Sequence, residues 1–447
     1  MKIFSKSLLI FPLLFVFCSC NNSSTEPKPK ETDNRQLEVY IPNTQDEHFI
    51  CNYRLDPFYN DSTTYSKDLA LLSLGFSLAA SQNATIDKFY RDLEYTTVYK
   101  SDNYDSNESE QYDSFVIGKK EYNDFVILSL SARSYYYCMQ WSANFHIGLE
   151  GNAIGFENSA EKMYEELKSV VSTQQKKVKI WLSGYSRSAA LMQNLAGKVM
   201  EDKSMKTDMK DLYVYNFEAP STIETQNVKQ YKNVFNHANS NDFISKFYPS
   251  SYGMSQDGVF LDIFDKEVTD KIIEEGDFKP FISSDNFQNE AEYVAYLISR
   301  LTTYTSEKED ELMNSRAAFA NNYQDGLGYI AGIMGTLYTY HPDAVEEMIE
   351  TINSYSLFQK IALFKSNKLY NFITPYLNEN HVNYDETKLR ASCDSVEKFA
   401  TAYLSLVLEV VVPYADNFTR LPIFHEAKTT YLLLKKYHET HDNIIFK

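Results

Sequence analysis

The sequence predicts an α/β protein: a mostly parallel central sheet covered by helices, with a large helical cap inserted before the chain returns to the core. Three observations carry this. Between residues 125 and 236 short apolar runs alternate with segments of helical period, the pattern of parallel strands joined by crossover helices. One strand-to-helix junction is a tight Gly-x-Ser-x-Ser turn at Gly184–Ser188. The interval 265–415 reads mostly helical.

The chain has 447 residues, 43% of them hydrophobic, enough for a sizeable core with insertions. A net charge of −18 repels polyphosphate and argues against a nucleic-acid partner. Aromatic residues make up 15%, which argues against disorder but names no ligand.

The first element is N-terminal. Lys2 and Lys6 precede an apolar run from residue 8 to 17, too short to span a bilayer, which takes about 20 residues. It ends Phe17-Cys18-Ser19-Cys20 and gives way to a polar stretch. This is similar to a bacterial lipoprotein signal, in which a Cys after a small residue becomes the acylated N-terminus. Cys20 follows Ser19 and fits; Cys18 follows bulky Phe17. The resemblance implies a signal peptide over 1–20, a membrane anchor and an extracytoplasmic place in the bacterial cell envelope. An ordinary secretory signal cleaved nearby is the alternative. Residues 21–36, with Pro27 and Pro29, read as a flexible tether. Of five cysteines, Cys51, Cys138 and Cys393 remain. None has metal-ligand spacing, and buried free thiols are expected, with a Cys51–Cys393 pair conceivable only if those segments meet.

The core is expected over 37–264. Leu69, Leu72 and Phe76 give residues 65–80 a helical spacing, and 102–112 is an acidic loop. Residues 125–130 are a buried-strand candidate. Ala160, Met163, Leu167 and Val170 predict an amphipathic helix over 157–172. A strand over 176–182 follows, with Val178, Ile180 and Leu182 on one face, then a helix over 187–200. Residues 212–217 and 233–236 are further short strands.

Between the strand over 176–182 and the helix over 187–200 sits the chemistry. A serine held in a strained strand-to-helix turn projects its hydroxyl from the sheet edge, and small residues two places either side let strand and helix approach. Gly184 before Ser186, and Ser188 with Ala189 and Ala190 after it, meet that need. The bland alternative is a turn with a helix-capping serine.

These residues are where the chain resembles a family, the class 3 lipase-like α/β hydrolases. Residues 182–190 (Leu-Ser-Gly-Tyr-Ser-Arg-Ser-Ala-Ala) are similar to the family's nucleophile elbow, and 211–220, ending Asn-Phe-Glu-Ala-Pro, to its next strand. Residues 234–246, with Asn239 and Asp242, resemble the turn that presents the triad acid. Ser131-Ala132-Arg133-Ser134 resembles the Arg-Gly turn that supplies an oxyanion N–H, and Trp141–Asn144, Gly148 and Gly155-Phe156 the segment after it.

The resemblance implies an α/β-hydrolase-like fold and a serine esterase or lipase acting on an ester or lipid substrate through Ser186, Asp242 and a histidine, with no metal or cofactor. Asp242 also follows an apolar segment in an Asn-rich turn, where a strand end would deliver it; Asp257 and Asp262 compete, and a turn-forming Asp is the plain alternative. The order Ser, acid, His places the base after residue 242, which leaves His341, His381, His425, His438 and His441. His425, just before a closing helix with Tyr431-Leu432, matches the family pattern; His341 is the runner-up. Backbone N–H groups of Arg187 and Ser134 would bind the oxyanion. Ser134 and Ser188 stand where the family has Gly, which raises a second reading: a hydrolase-fold lipoprotein kept for binding alone. A serine peptidase or acyltransferase is a third. The cap is expected over 265–415, and 416–447 as the return to the core.

Overall fold

In the computed structural model, described residues are 31–441 apart from 43, 45, 103, 106–112, 135–138, 206, 243–244, 246–257, 277, 279–292, 294–295, 298, 300–315 and 403–419. The signal segment with Cys20, most of the tether and Cys138 lie outside them.

Ordered strand structure begins earlier than the expected end of the tether. A hairpin of β1 (Asn34–Tyr40) and β2 (His48–Arg54) opens the fold. Residues 34–36 are therefore strand, which corrects the 21–36 boundary. The reason is a period-two pattern: Leu37 and Val39 point inward with Phe49, Cys51 and Tyr53, while Gln36 and Glu38 stay out.

Among the described residues the main sheet has seven strands in chain order: β3 (Thr96–Lys100), β4 (Phe115–Glu121), β5 (Phe125–Ala132), β6 (Lys177–Tyr185), β7 (Leu212–Phe217), β8 (Val234–Ala238) and β9 (Val259–Asp262). The first two pairings are antiparallel and the other four parallel. The runs at 125–130, 176–182, 212–217 and 233–236 become β5 to β8. All eight residues of β5 and all six of β7 are buried, as both faces of a covered parallel strand must be. β3, β4 and β9 carry polar residues at the margins of the sheet and lacked that signal.

Helices cover both faces. On one lie α1 (Lys67–Ala79), α2 (Asn83–Leu93) and the hairpin, packed on Trp181, Tyr185, Tyr213 and Tyr215. Ser66 caps α1 by accepting from the Leu69 N–H, which sets its start two residues inside the expected one. Trp181 is fully buried and donates to Ser73 at 2.8 Å. On the other face α3 (Ile154–Ser172) and α4 (Arg187–Glu201) pack against Val178, Ile180, Leu182 and Val214. Burying each such side chain contributes about 1.5–3 kcal/mol.

After β9 comes α5 (Lys266–Glu275). Its Ile272 and Ile273 join Phe278, Tyr293, Leu297, Leu421 and Phe424 in one cluster, so the start of the helical interval packs on the C-terminal return. The next helices are α6 (Arg316–Asn322), α7 (Gln324–Tyr340), α8 (Pro342–Ser354), α9 (Leu357–Ala362), α10 (Ser366–Glu379) and α11 (Glu386–Ala402). Of these, α7, α8, α10 and α11 share a separate apolar cluster around Leu337, Met348, Leu377 and Leu389. Arg316 ties this block to the core by donating to the carbonyls of Ile147, Gly148 and Gly151 at 2.9–3.0 Å. A turn at Leu421–His425 and α12 (Ala427–Thr440) complete the described chain. Cys51 and Cys393 are both buried and free, and burial pushes the Cys51 thiol up to about 12.

Candidate active site

The site forms where the parallel strands end. β6 stops at Tyr185 and α4 begins at Arg187; Ser186 between them takes φ 52° and ψ −123°. Such a conformation in a non-glycine residue costs of order 1–3 kcal/mol and must be held by its surroundings. Here the Ser186 N–H donates to Phe217 O at 2.8 Å and the Ser186 carbonyl accepts from Ala189 at 3.0 Å. Gly184 makes the bend feasible: a Cβ there would lie 2.4 Å from Ser188 O.

Three side chains meet at this bend. Ser186 Oγ stands 2.7 Å from His425 Nε2, and His425 Nδ1 stands 2.6 Å from Asp242 Oδ2. With Nδ1–H donating to the carboxylate, Nε2 carries the lone pair that accepts the serine proton. Asp242 has no side-chain exposure and His425 has 12%, so one end of the imidazole is sealed and the other faces the serine.

Local chain structure explains each placement. Asp242 sits in a turn after β8, where its N–H donates to Asn239 O at 2.9 Å and Asn239 Oδ1 accepts from Asn241 N at 3.0 Å. His425 ends a turn begun by Leu421-Pro422. Asn239 reaches across to Phe424 O at 3.4 Å, and Tyr185 donates its hydroxyl to His425 O. The strand-end tyrosine beside the nucleophile thus holds the backbone of the imidazole-bearing turn.

The other candidates lie elsewhere. Asp262, at the end of β9, is exposed and accepts from the N–H groups of Ser240 and Phe264. Asp257 falls outside the described residues. His341 joins α7 to α8, and His381 follows α10 with φ 54°. His441 stacks on Tyr437. His438 shares the Tyr65 hydroxyl with His237, both at 2.8 Å, and burial lowers these imidazoles to about 4 and about 3.

Arg187 and Ser134 flank the serine. Arg187 is the first residue of α4, where backbone N–H groups lack intrahelical acceptors. Its guanidinium is buried and pairs with both Asp113 oxygens at 2.8 and 2.7 Å, while donating to Asn144 Oδ1 at 2.7 Å and Gly155 O at 2.8 Å. Ser134 Oγ lies 2.6 Å from Ser188 Oγ, and Ser188 Oγ also accepts from the Tyr185 N–H at 2.8 Å. Ser134 is not among the residues with positive φ, so the strain that a glycine-like turn would impose does not arise there.

Asp113, Tyr185 and Glu218 were not read as site residues. A buried arginine next to a nucleophile calls for a carboxylate, but nothing in sequence singles out Asp113. Glu218 follows β7 with φ 51° and no exposure, and its side chain bonds Asp242. Among the described residues no group of His, Cys, Asp and Glu is placed to hold a metal ion, and no helix is long and apolar enough to cross a membrane.

No family model matches the sequence, and no curated protein matches it. Among solved structures, a lipase from Rhizopus microsporus var. chinensis aligns at 14% identity and a TM-score of 0.31, over 48% of this chain and 78% of that one. A second, the M37 lipase, aligns at 11% identity and 0.32, over 55% and 82%. Likeness this weak carries no argument about chemistry, which rests on the geometry of the site.

Proposed function

We propose that the protein is a lipase-like serine carboxylic-ester hydrolase. The observation that supports this most is the unbroken hydrogen-bonded line from Ser186 through His425 to buried Asp242, with the serine in a strained bend. In this reading His425 Nε2 takes the Ser186 proton as Oγ attacks an ester carbonyl. Asp242 orients the imidazole and stabilises its charged form. The tetrahedral oxyanion is bound by the N–H groups of Arg187 and Ser134, each such donor contributing about 3 kcal/mol to the transition state. His425 then returns the proton to the leaving alcohol, and water hydrolyses the acyl-enzyme by the same route. No metal or cofactor takes part.

The helical interval 265–415 acts in this reading as a cap that shields the acyl-enzyme, and Cys20 carries the lipid that tethers the enzyme outside the cytoplasmic membrane. The test is labelling by a fluorophosphonate. Wild type is expected to be labelled and Ser186→Ala not; equal labelling of both removes the assignment, and a folded wild type that neither labels nor cleaves any ester of a graded acyl series leaves the binding-only reading. Lipidation is read separately, as a mass increase at Cys20 that Cys20→Ala lacks.

A further inference from the structure

Behind the acid of the site stands a second carboxyl. Glu218 leaves β7 in a left-handed conformation that a non-glycine residue adopts only at a cost. Its N–H donates to His237 O at 2.8 Å, which pins the bend to β8. The bend turns its side chain into the protein, where it has no exposure. There one oxygen accepts from the Asn239 N–H at 3.0 Å and the other from Thr430 Oγ1 at 3.3 Å. Asn239 opens the Asp242 turn, and Thr430 lies on α12 directly after His425. The same carboxyl bonds the Asp242 side chain.

Two carboxyl groups joined by a hydrogen bond hold a proton between them, since two carboxylates offer only acceptors. Asp242 is committed to the His425 N–H, and an ionised form there is what an imidazolium needs. The proton therefore belongs on Glu218. We infer that Glu218 is a protonated positioning residue, bonding through its hydroxyl to the Asp242 carboxylate and so fixing that carboxylate toward His425. Burial first, and the neighbouring Asp242 charge second, push the Glu218 carboxyl well above the usual range, in keeping with that state. The titratable groups around it are Asp242 on the turn after β8, His425 ahead of α12, and His237 on β8, whose ring faces Asn216 O and Tyr65.

This rests on the serine-hydrolase reading for its kinetic consequence but not for the position of the proton. Infrared difference spectra of wild type minus Glu218→Gln at pH 7 are expected to show a protonated-carboxyl C=O band in the wild type only. Loss of carboxylate bands alone would overturn the proposal. With p-nitrophenyl butyrate, Glu218→Gln, a neutral side chain that still donates, is expected to keep kcat within about threefold and the acid limb of the kcat/KM profile in place. Glu218→Ala is expected to lower kcat about tenfold or more at unchanged KM. A displaced limb in Glu218→Gln, or full kcat in a folded Glu218→Ala, rejects the role. Should Glu218→Ala fail to fold, the Gln variant and the spectra decide. If wild-type protein proves inert to esters and to fluorophosphonate, the hydrolase reading falls, and the infrared band still decides where the proton resides.

Discussion

The hydroxyl oxygens of Ser134 and Ser188 lie 2.6 Å apart, which joins the end of β5 to the first turn of α4 across the nucleophile bend. Both are buried, and both stand where a glycine was expected from the resemblance. Ser188 does not crowd the bend, because its hydroxyl also takes the Tyr185 N–H and lies 3.0 Å from Tyr185 O. Ser188→Ala leaves those groups without their partner and is expected to cost about 1–3 kcal/mol in urea unfolding. Ser134→Ala is expected to cost less. The double variant should fall short of the sum of the two by about 0.5 kcal/mol or more, because they share one bond. Strict additivity would show that the two hydroxyls are not coupled.

Ser186 is strained where Gly would not be. Ser186→Gly is expected to abolish fluorophosphonate labelling and to lower ester turnover by about 10⁴-fold or more. It is also expected to raise stability, by about 1 kcal/mol, because φ 52° is natural for glycine. Ser186→Ala should be equally inactive without that gain. A Gly variant less stable than the Ala variant would mean that the bend is not strained.

The Arg187–Asp113 pair is sealed, each side chain being 1% exposed. Removing one partner strands the other charge in the interior, so Asp113→Ala is expected to cost about 3–5 kcal/mol. Arg187→Lys keeps the charge but not the two-pronged geometry or the bonds to Asn144 and Gly155, and should also destabilise. Thermal unfolding of the two variants checks this. Wild-type stability in Asp113→Ala would contradict the pairing.

The legible parts of this chain were those with a short-range signature. The buried parallel strands read as short apolar segments, continuous in β5 and alternating in β6, and the bend at Ser186 has a composition set by its own sterics. Asp242 had a local cue in its Asn-rich turn after an apolar segment, but pairing it with His425 rested on resemblance, since they lie 183 positions apart and no local pattern ties a carboxylate to so distant an imidazole. Glu218 was hidden for a different reason. A glutamate after a strand reads as solvated, and only the fold reveals that a left-handed residue turns it inward. The edge strands β3 and β9 escaped notice because their exposed faces carry no apolar run.

The Tyr65 hydroxyl bridges His237 and His438 inside the protein, 2.8 Å from each Nε2, and links β8 to α12. His237 Nδ1 donates to Asn216 O at 3.0 Å, so its Nε2 accepts the tyrosine proton, and His438 Nε2–H donates to the tyrosine oxygen. Protonating His237 would remove the acceptor this chain needs, whereas His438 can donate in either state and is kept neutral by burial. Burial, the largest cause for each, lowers them to about 3 and about 4, with like charge adding from His438 and from Lys67 respectively. The folded pKa values lie below the unfolded value of about 6.5, so the unfolded chain binds these protons first. The stabilisation is complete above about pH 6.5 and declines as pH falls from there toward the folded values, by about 1–2 kcal/mol per ring at pH 5. Urea unfolding of wild type and His438→Gln at pH 7 and pH 5 isolates this from the carboxylates common to both. The variant is expected to be less stable at pH 7 but to lose less on acidification. An equal loss in the two proteins would show that His438 takes up its proton as readily folded as unfolded, and that burial does not hold it neutral.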